Sequence, residues 1–225
     1  DTVGGVPGML PPVERVVAAL EAAGISTSQP VVVYDAADSL WASRLFWALE
    51  YLGHTRVHLL DGGYAKWKAD GRPVETGAPA VARGTFRAVI QPDKLATKEW
   101  VAGNLSSPGL FVLDARSRAE YVGQDVRAAR GGHIPGAVNL DWRLNLAEGS
   151  GGLFLPEKEL REMYDAIGVA EATECVTLCQ TGVRATHAYF VLRNLGYTKV
   201  RMYDGSWVEW GNDPNTPVVT GTSAR

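Results

Sequence analysis

The chain has 225 residues, a net charge of -3 and 46% apolar residues, an ordinary composition for a folded protein of one large or two small domains. So small a charge gives no electrostatic case for nucleic acid or a membrane surface as partner, and no apolar run is long enough to span a bilayer. The two cysteines, Cys175 and Cys179, stand four apart in what reads as one strand, roughly 13 Å and too far for a disulfide. Two free thiols favour a reducing compartment, so a cytoplasmic location is expected. None of the four histidines (His54, His58, His133, His187) pairs with a cysteine at metal-ligand spacing, and neither a metal nor a cofactor is expected. The chain opens on Asp1-Thr2-Val3-Gly4-Gly5, without an initiator methionine or a signal pattern, and targeting cannot be read from it.

In chain order, Val13 to Ala23 has the spacing of an amphipathic helix, and the apolar run from Val31 reads as a strand. A loop, Asp35 to Leu40, leads into a second helix, in which Trp41 and Trp47 are expected to pack in a core or between domains. Val57 to Leu60 is the next strand. Ala78 to Pro92 has weak periodicity and reads as a linker. Leu110 to Leu113 is a strand ending in Asp114-Ala115-Arg116, and Gly132 to Leu140 is a turn into another. A helix over Lys158 to Ile167 precedes the strand Cys175 to Leu178. The helix after it places Ala188, Val191, Leu192 and Leu195 on one face and stops at Gly196. Val200 to Tyr203 is the last strand. Short apolar strands alternating with helices imply parallel sheets.

The chain also repeats itself. Val31 to Trp67 aligns with Cys175 to Trp210, with Leu52-Gly53 on Leu195-Gly196 and Asp61-Gly62 on Asp204-Gly205, at a spacing of about 144 residues. The reading is α/β: two similar domains, each a parallel sheet flanked by helices, at 1–77 and 93–225, with residues 78–92 as linker. Asp1 aligns near Asn145, so the first domain lacks roughly 50 residues found in the second. An open sheet edge and a half-covered core are expected there. The lacking part is expected to have been cleaved or omitted; if cleaved, it could stay bound as a separate chain.

Cys179-Gln180-Thr181-Gly182-Val183-Arg184 joins a strand to a helix N-terminus. Unpaired backbone N–H groups and the helix dipole favour negative charge there, and so a thiolate at Cys179. Gly182 lets the loop curl through positive φ, and Arg184 closes it with a permanent cation. Cysteine phosphatases have Cys-x5-Arg around a phosphate. The Cys-x4-Arg loop here is one residue shorter, and suits a single sulfur carried as a persulfide.

With the Gly132-His133-Ile134-Pro135-Gly136-Ala137 motif, the Asp114-Ala115-Arg116 strand end and the closing Asp204-Gly205-Ser206-Trp207, this loop resembles the rhodanese superfamily, specifically its two-domain sulfurtransferases. The resemblance covers nearly all of the chain. It implies that the second domain is catalytic and that the first, with Asp35 where Cys179 falls, is a scaffold and a wall of the cleft. It implies Cys179 as the nucleophile. Gln180, Thr181, Gly182, Val183, Arg184, Arg116 and Trp207 are the expected substrate-binding residues. A small sulfur donor and acceptor are the expected partners, and the acceptor could be a protein thiol. Gln180, Arg184 and Glu120 depart from the pattern of mercaptopyruvate users, which favours thiosulfate as donor. A 3-mercaptopyruvate sulfurtransferase is the alternative; a non-catalytic persulfide carrier and a relative of Cys-loop phosphatases or arsenate reductases rank lower. His133 is expected to shape its turn. Arg118, Arg127 and Arg130 read as a solvated loop that could attract anions.

Overall fold

The computed structural model describes residues 1–169 and 174–222. Five strands form one wholly parallel sheet: β5 (Leu95–Ala96), β6 (Leu110–Asp114), β7 (Val138–Asn139), β8 (Glu174–Leu178) and β9 (Val200–Tyr203). Their spatial order is β5-β9-β8-β6-β7. The central β8 is apolar and buried from Cys175 onward, as a strand covered on both faces must be. A second parallel pair, β3 (Val31–Val33) and β4 (Val57–Leu59), belongs to the first repeat. An antiparallel pair, β1 (Thr2–Val3) and β2 (Val6–Pro7), opens the chain.

The helices are α1 (Val13–Ala22), α2 (Leu40–Tyr51), α3 (Gly63–Ala69), α4 (Lys98–Asn104), α5 (Arg118–Val122), α6 (Glu157–Ala166), α7 (Val183–Asn194) and α8 (Ser206–Trp210). None is long and apolar enough to cross a membrane among the described residues. Helices α2 and α7 are counterparts and pack on each other. Phe46 meets Phe190 edge-on at 5.0 Å, while Glu50 takes a hydrogen bond from Tyr189 at 2.7 Å and pairs with Arg193 at 3.2 Å. One apolar core runs through this contact, from Leu20 and Leu49 to Leu192 and Val200. The two repeats therefore share a core, and the boundary between them is a packed helix pair.

The repeat spacing changes at the loop. Val31 lies 144 residues before Cys175, whereas Leu52 lies 143 before Leu195. The first loop is one residue longer, and the left-handed residue before its helix is Ser39, where the second has Gly182. The linker is not free: Val89 and Gln91 donate to the carbonyls of Leu52 and Tyr51, and Phe86 is buried.

The second repeat has a further apolar core, in which Val176, Leu178, Tyr203, Trp207 and Trp210 pack under Val112, Tyr121 and Ile134. Their first-repeat counterparts are uncovered. Val32 is 58% exposed, Tyr34 60%, Tyr64 43% and Trp67 37%, and with Leu60 they line a groove of about 680 Å³. This is the expected half-covered core. Trp41 corrects another expectation: it is 64% exposed, while Trp47 is fully buried and donates to the Lys94 carbonyl.

Candidate active site

Cys179 follows the last residue of β8, and α7 begins at Val183. Gly182 caps that helix at a φ of 81°; a Cβ there would stand 2.8 Å from the Asp204 carbonyl oxygen. The close approach requires glycine, and the left-handed φ favours it.

The loop carbonyls are gripped from outside. Trp207 and Val208, at the start of α8, donate to the carbonyls of Cys179 and Gln180 at 2.9 Å each. Arg44, from α2 of the first repeat, reaches the Gly182 carbonyl at 3.4 Å. In a planar trans peptide the C=O of one residue and the N–H of the next point opposite ways. Tethering these carbonyls turns the N–H groups of Gln180, Thr181 and Val183 to the other side. Among the described residues, no protein group accepts from the backbone N–H groups of Gln180 to Arg184.

The first repeat shows what such a loop encloses. Tyr64 and Ala65 grip the carbonyls of Asp35 and Ala36 in the same way, at 2.9 Å each. There the Asp35 carboxylate folds into its own cradle. One oxygen accepts from the N–H groups of Ala37 (3.2 Å) and Ser39 (3.0 Å), the other from Trp41 (2.9 Å) and Ala42 (3.1 Å). The first loop is a nest for an anion, already filled by its leading side chain. The second presents Cys179 at that position.

Arg184 does close the loop, but its guanidinium is occupied. It makes two parallel bonds to Glu120, at 2.7 and 2.8 Å, and Glu120 is 1% exposed. Burial pushes the Glu120 carboxyl up; the bonds from Arg184 and Ser117 outweigh it and hold the group at about 2. Burial works against the Arg184 cation, yet Glu120 and the nearby Cys179 raise its pKa above the ordinary value. Glu120 is held in turn by the capping box that starts α5, with Ser117 as partner.

Arg116 and Trp207, expected to touch substrate, lie beneath the loop. Arg116 is 1% exposed, chelates Asp114 at 2.6 Å, donates to the Gly132 carbonyl at 2.7 Å and stacks over the Trp207 ring at 4.3 Å. Trp207 is wholly buried and donates to the Arg130 carbonyl. Trp207 holds the loop through its backbone N–H, and Arg116 braces Trp207 from beneath. Arg130 is not a solvated residue either, since its guanidinium bonds the carbonyls of Trp210 and Thr216. Arg127, by contrast, is exposed and pairs with Asp125 at 2.6 Å. Gln180 donates to the Arg127 carbonyl at 2.9 Å and Thr181 packs under Gly8, which bring both into the loop wall. His133 holds its turn against Tyr121, stacked at 3.7 Å.

Cys179 itself is 1% exposed. Cys175 is also buried, and burial, followed by the Glu174 charge, pushes its thiol up to about 12, so it stays protonated. Ser206 escapes a reading of spacing. Its hydroxyl accepts from the Cys179 N–H at 3.1 Å and donates to the Tyr203 carbonyl at 2.8 Å. It does so from a left-handed φ of 50°, a strained setting for a serine. The sequence signal was the Asp-Gly pair before it, which aligned with Asp61-Gly62 but gave serine no role.

A cysteine at the head of an anion nest, on a parallel sheet, defines a class of cysteine-dependent transfer proteins. The chain belongs to the rhodanese-like domain family, whose profile matches residues 8–70 and 97–213. A thiosulfate sulfurtransferase of Azotobacter vinelandii is 38% identical over 94% of this chain and 78% of its own length. A sulfur carrier protein of Thermus thermophilus, TtuD, is 35% identical over 90% of this chain and 75% of its own. Among solved structures, EanB in complex with ergothioneine superposes with a TM-score of 0.88 at 25% identity, over 99% of this chain and 58% of the longer EanB chain.

Proposed function

We propose that this chain is a thiosulfate sulfurtransferase that carries sulfane sulfur as a persulfide on Cys179. The comparison of its two loops carries the reading. Where the leading residue is Asp35, four backbone N–H groups converge on its anionic side chain. Where it is Cys179, the same outward tethering of carbonyls leaves the N–H groups free for an anion at sulfur.

In the first half-reaction the Cys179 thiolate attacks the outer sulfur of thiosulfate. A new S–S bond forms, the donor S–S bond breaks, and sulfite leaves with the electron pair. The terminal sulfur of the cysteine persulfide carries the negative charge, and the N–H groups of Gln180, Thr181 and Val183 stabilise it. In the second, cyanide or a thiolate attacks that terminal sulfur and the Cys179 thiolate leaves. This is covalent catalysis with ping-pong kinetics.

The filled guanidinium forks favour thiosulfate over 3-mercaptopyruvate. Arg184 is spent on Glu120 and Arg116 on Asp114, so neither is free to bind a donor carboxylate bidentately. The near-complete burial of Cys179 suits a small acceptor better than direct hand-over to a protein thiol. The two free thiols support a reducing compartment, and the cytoplasm is the location we propose. The uncovered face of the first repeat is the seat of a segment like residues 93–140, on the same chain or a separate one.

The test is intact mass after incubation with thiosulfate or with mercaptopyruvate, followed by cyanide, with Cys179→Ala as control. One added sulfur from thiosulfate, lost as thiocyanate, is the expected result. Loading from mercaptopyruvate alone would overturn the donor assignment; no loading from either, with the thiol reduced, would overturn the enzyme.

A further inference from the structure

The two repeats cap each other's loops. Gly152 of the second repeat stands against the first loop, where an added Cβ would come within 2.4 Å of the Ala37 carbonyl oxygen. Gly8 of the first stands against the second loop, where a Cβ would come within 2.9 Å of the Thr181 carbonyl oxygen. The backbone N–H of Phe154 donates to Asp61 at 3.0 Å, and that of Leu10 to Asp204 at 2.8 Å. These contacts are related by the internal repeat. One is not: at the position that α7 fills with His187, α2 has Arg44.

Arg44 is 12% exposed at its side chain and bonds to three separate parts of the site. It pairs with Asp204 at 2.6 Å, donates to the Gly8 carbonyl at 3.0 Å and reaches the Gly182 carbonyl at 3.4 Å. Its guanidinium lies over the Trp47 ring at 4.7 Å, within cation–π range. Asp204 takes the negative end of this arrangement and, through Leu10, ties in the strap of residues 6–10.

We infer that Arg44 is a positioning residue for sulfur transfer, supplied by the repeat that lacks the cysteine. Of the three loop carbonyls tethered from outside, that of Gly182 is held by a side chain, whereas those of Cys179 and Gln180 are held by the backbone of α8. Holding that carbonyl outward aims the Val183 N–H at the side where Cys179 carries its charge. The planar guanidinium fork serves the strap, Asp204 and the loop at once, which an ammonium cannot do in one geometry. The first repeat is thus part of the working site as well as a scaffold. The inference rests on the sulfur-transfer reading for its kinetics, but its geometry can be tested separately.

Arg44→Ala, Arg44→Lys and Glu50→Gln are compared in the whole chain. Glu50 bonds across the same helix pair without touching the loop, and controls for loosening of the repeat contact. The expected result for Arg44→Ala is a fall in kcat of about tenfold with KM changed less than about threefold, as for a misaimed stabilising donor. Arg44→Lys recovers part of the loss, and Glu50→Gln lowers the melting temperature with kcat kept. The Val183 amide resonance in a 15N–1H spectrum moves in Arg44→Ala and stays in Glu50→Gln, whichever sulfur donor loads the wild type. An unmoved Val183 resonance, unchanged kcat in Arg44→Ala, full recovery by lysine, or an equal kcat loss in Glu50→Gln would each overturn the inference. Failure of the wild type to load sulfur would instead strike the proposed function and leave the resonance test standing.

Discussion

Glu120 is the residue on which the charge of the site turns. Its carboxyl sits at about 2 in the folded chain against 4.5 for an ordinary glutamate. The folded state therefore holds the proton less tightly than the unfolded state, so Glu120 contributes stability that is present above about pH 4.5 and lost as pH falls towards 2. At 1.36 kcal/mol per unit, the contribution is on the order of 3 kcal/mol. Glu120→Gln removes that acid-labile part and leaves Arg184 buried without its counter-ion. A loss of roughly 3 kcal/mol at pH 7 is expected in urea unfolding, with a flatter stability profile below pH 4.5 than wild type. A profile unchanged in slope would exclude Glu120 as its source. Cys175→Ala has the opposite character. Its thiol is protonated core, so sulfur loading stays intact at a cost of about 1 kcal/mol; lost loading would mean that the second thiol takes part. The sequence showed Cys179, the turn at Gly182 and the closing Arg184, because nucleophile, positive φ and cation each demand a residue type. It did not show that Arg184 would be neutralised, because Glu120 lies 64 positions away and finds it only through the fold. Arg116 and Trp207 fit the motif, yet the motif marks what supports the loop as readily as what faces it.

At the level of elements, α7 and its loop concentrate the demands. Gly182→Ala must hold a left-handed backbone and push its methyl group towards the Asp204 carbonyl oxygen 2.8 Å away. A loss of about 1–3 kcal/mol and a drop in kcat of tenfold or more are expected; near-wild-type turnover would show that the loop tolerates another path. Further along α7, His187 is fully buried beside Trp142 and Phe154, with Asn145 at 3.2 Å. Burial, the largest cause, pulls its pKa from 6.5 to about 4, so it is neutral in the folded chain at pH 7. The unfolded chain binds the extra proton between pH 6.5 and 4, so stability falls as pH drops through that window. His187→Gln should flatten the stability profile there, and a slope equal to wild type would point to another group. The helix itself was legible from Ala188, Val191, Leu192 and Leu195, yet its two-sided burial was not. The periodicity marks one apolar face, whereas α7 lies between its own sheet and α2.

Across the whole molecule, the repeat explains what is finished and what is left open. The second repeat buries Val176, Leu178, Tyr203, Trp207 and Trp210 under residues between Ala96 and Ala137, while their first-repeat counterparts Val32, Tyr34, Leu60, Tyr64 and Trp67 line an uncovered groove. This asymmetry was legible in the alignment of the chain with itself. The mutual capping was not, because it depends on how the halves pack about the α2–α7 contact. An apolar groove with two exposed tyrosines and a tryptophan should bind an environment-sensitive apolar dye such as ANS. Tyr34→Glu with Trp67→Glu should remove that signal. None of the described groove residues bonds to the Cys179 loop, so sulfur loading should be unchanged in the double variant. A polypeptide corresponding to residues 93–140 of this chain, offered in trans, should compete with the dye if the groove accepts the fold that covers its counterpart. Dye displacement by that polypeptide but not by a scrambled one would support the assignment of the seat. Dye binding that survives the double variant would place the exposed apolar surface elsewhere. The bonding pattern keeps the groove and the active loop independent: the first repeat reaches the loop at Gly182 through Arg44 and at Thr181 through the strap, on the side of α2 that meets α7, and the groove lies on the other face of β3 and β4.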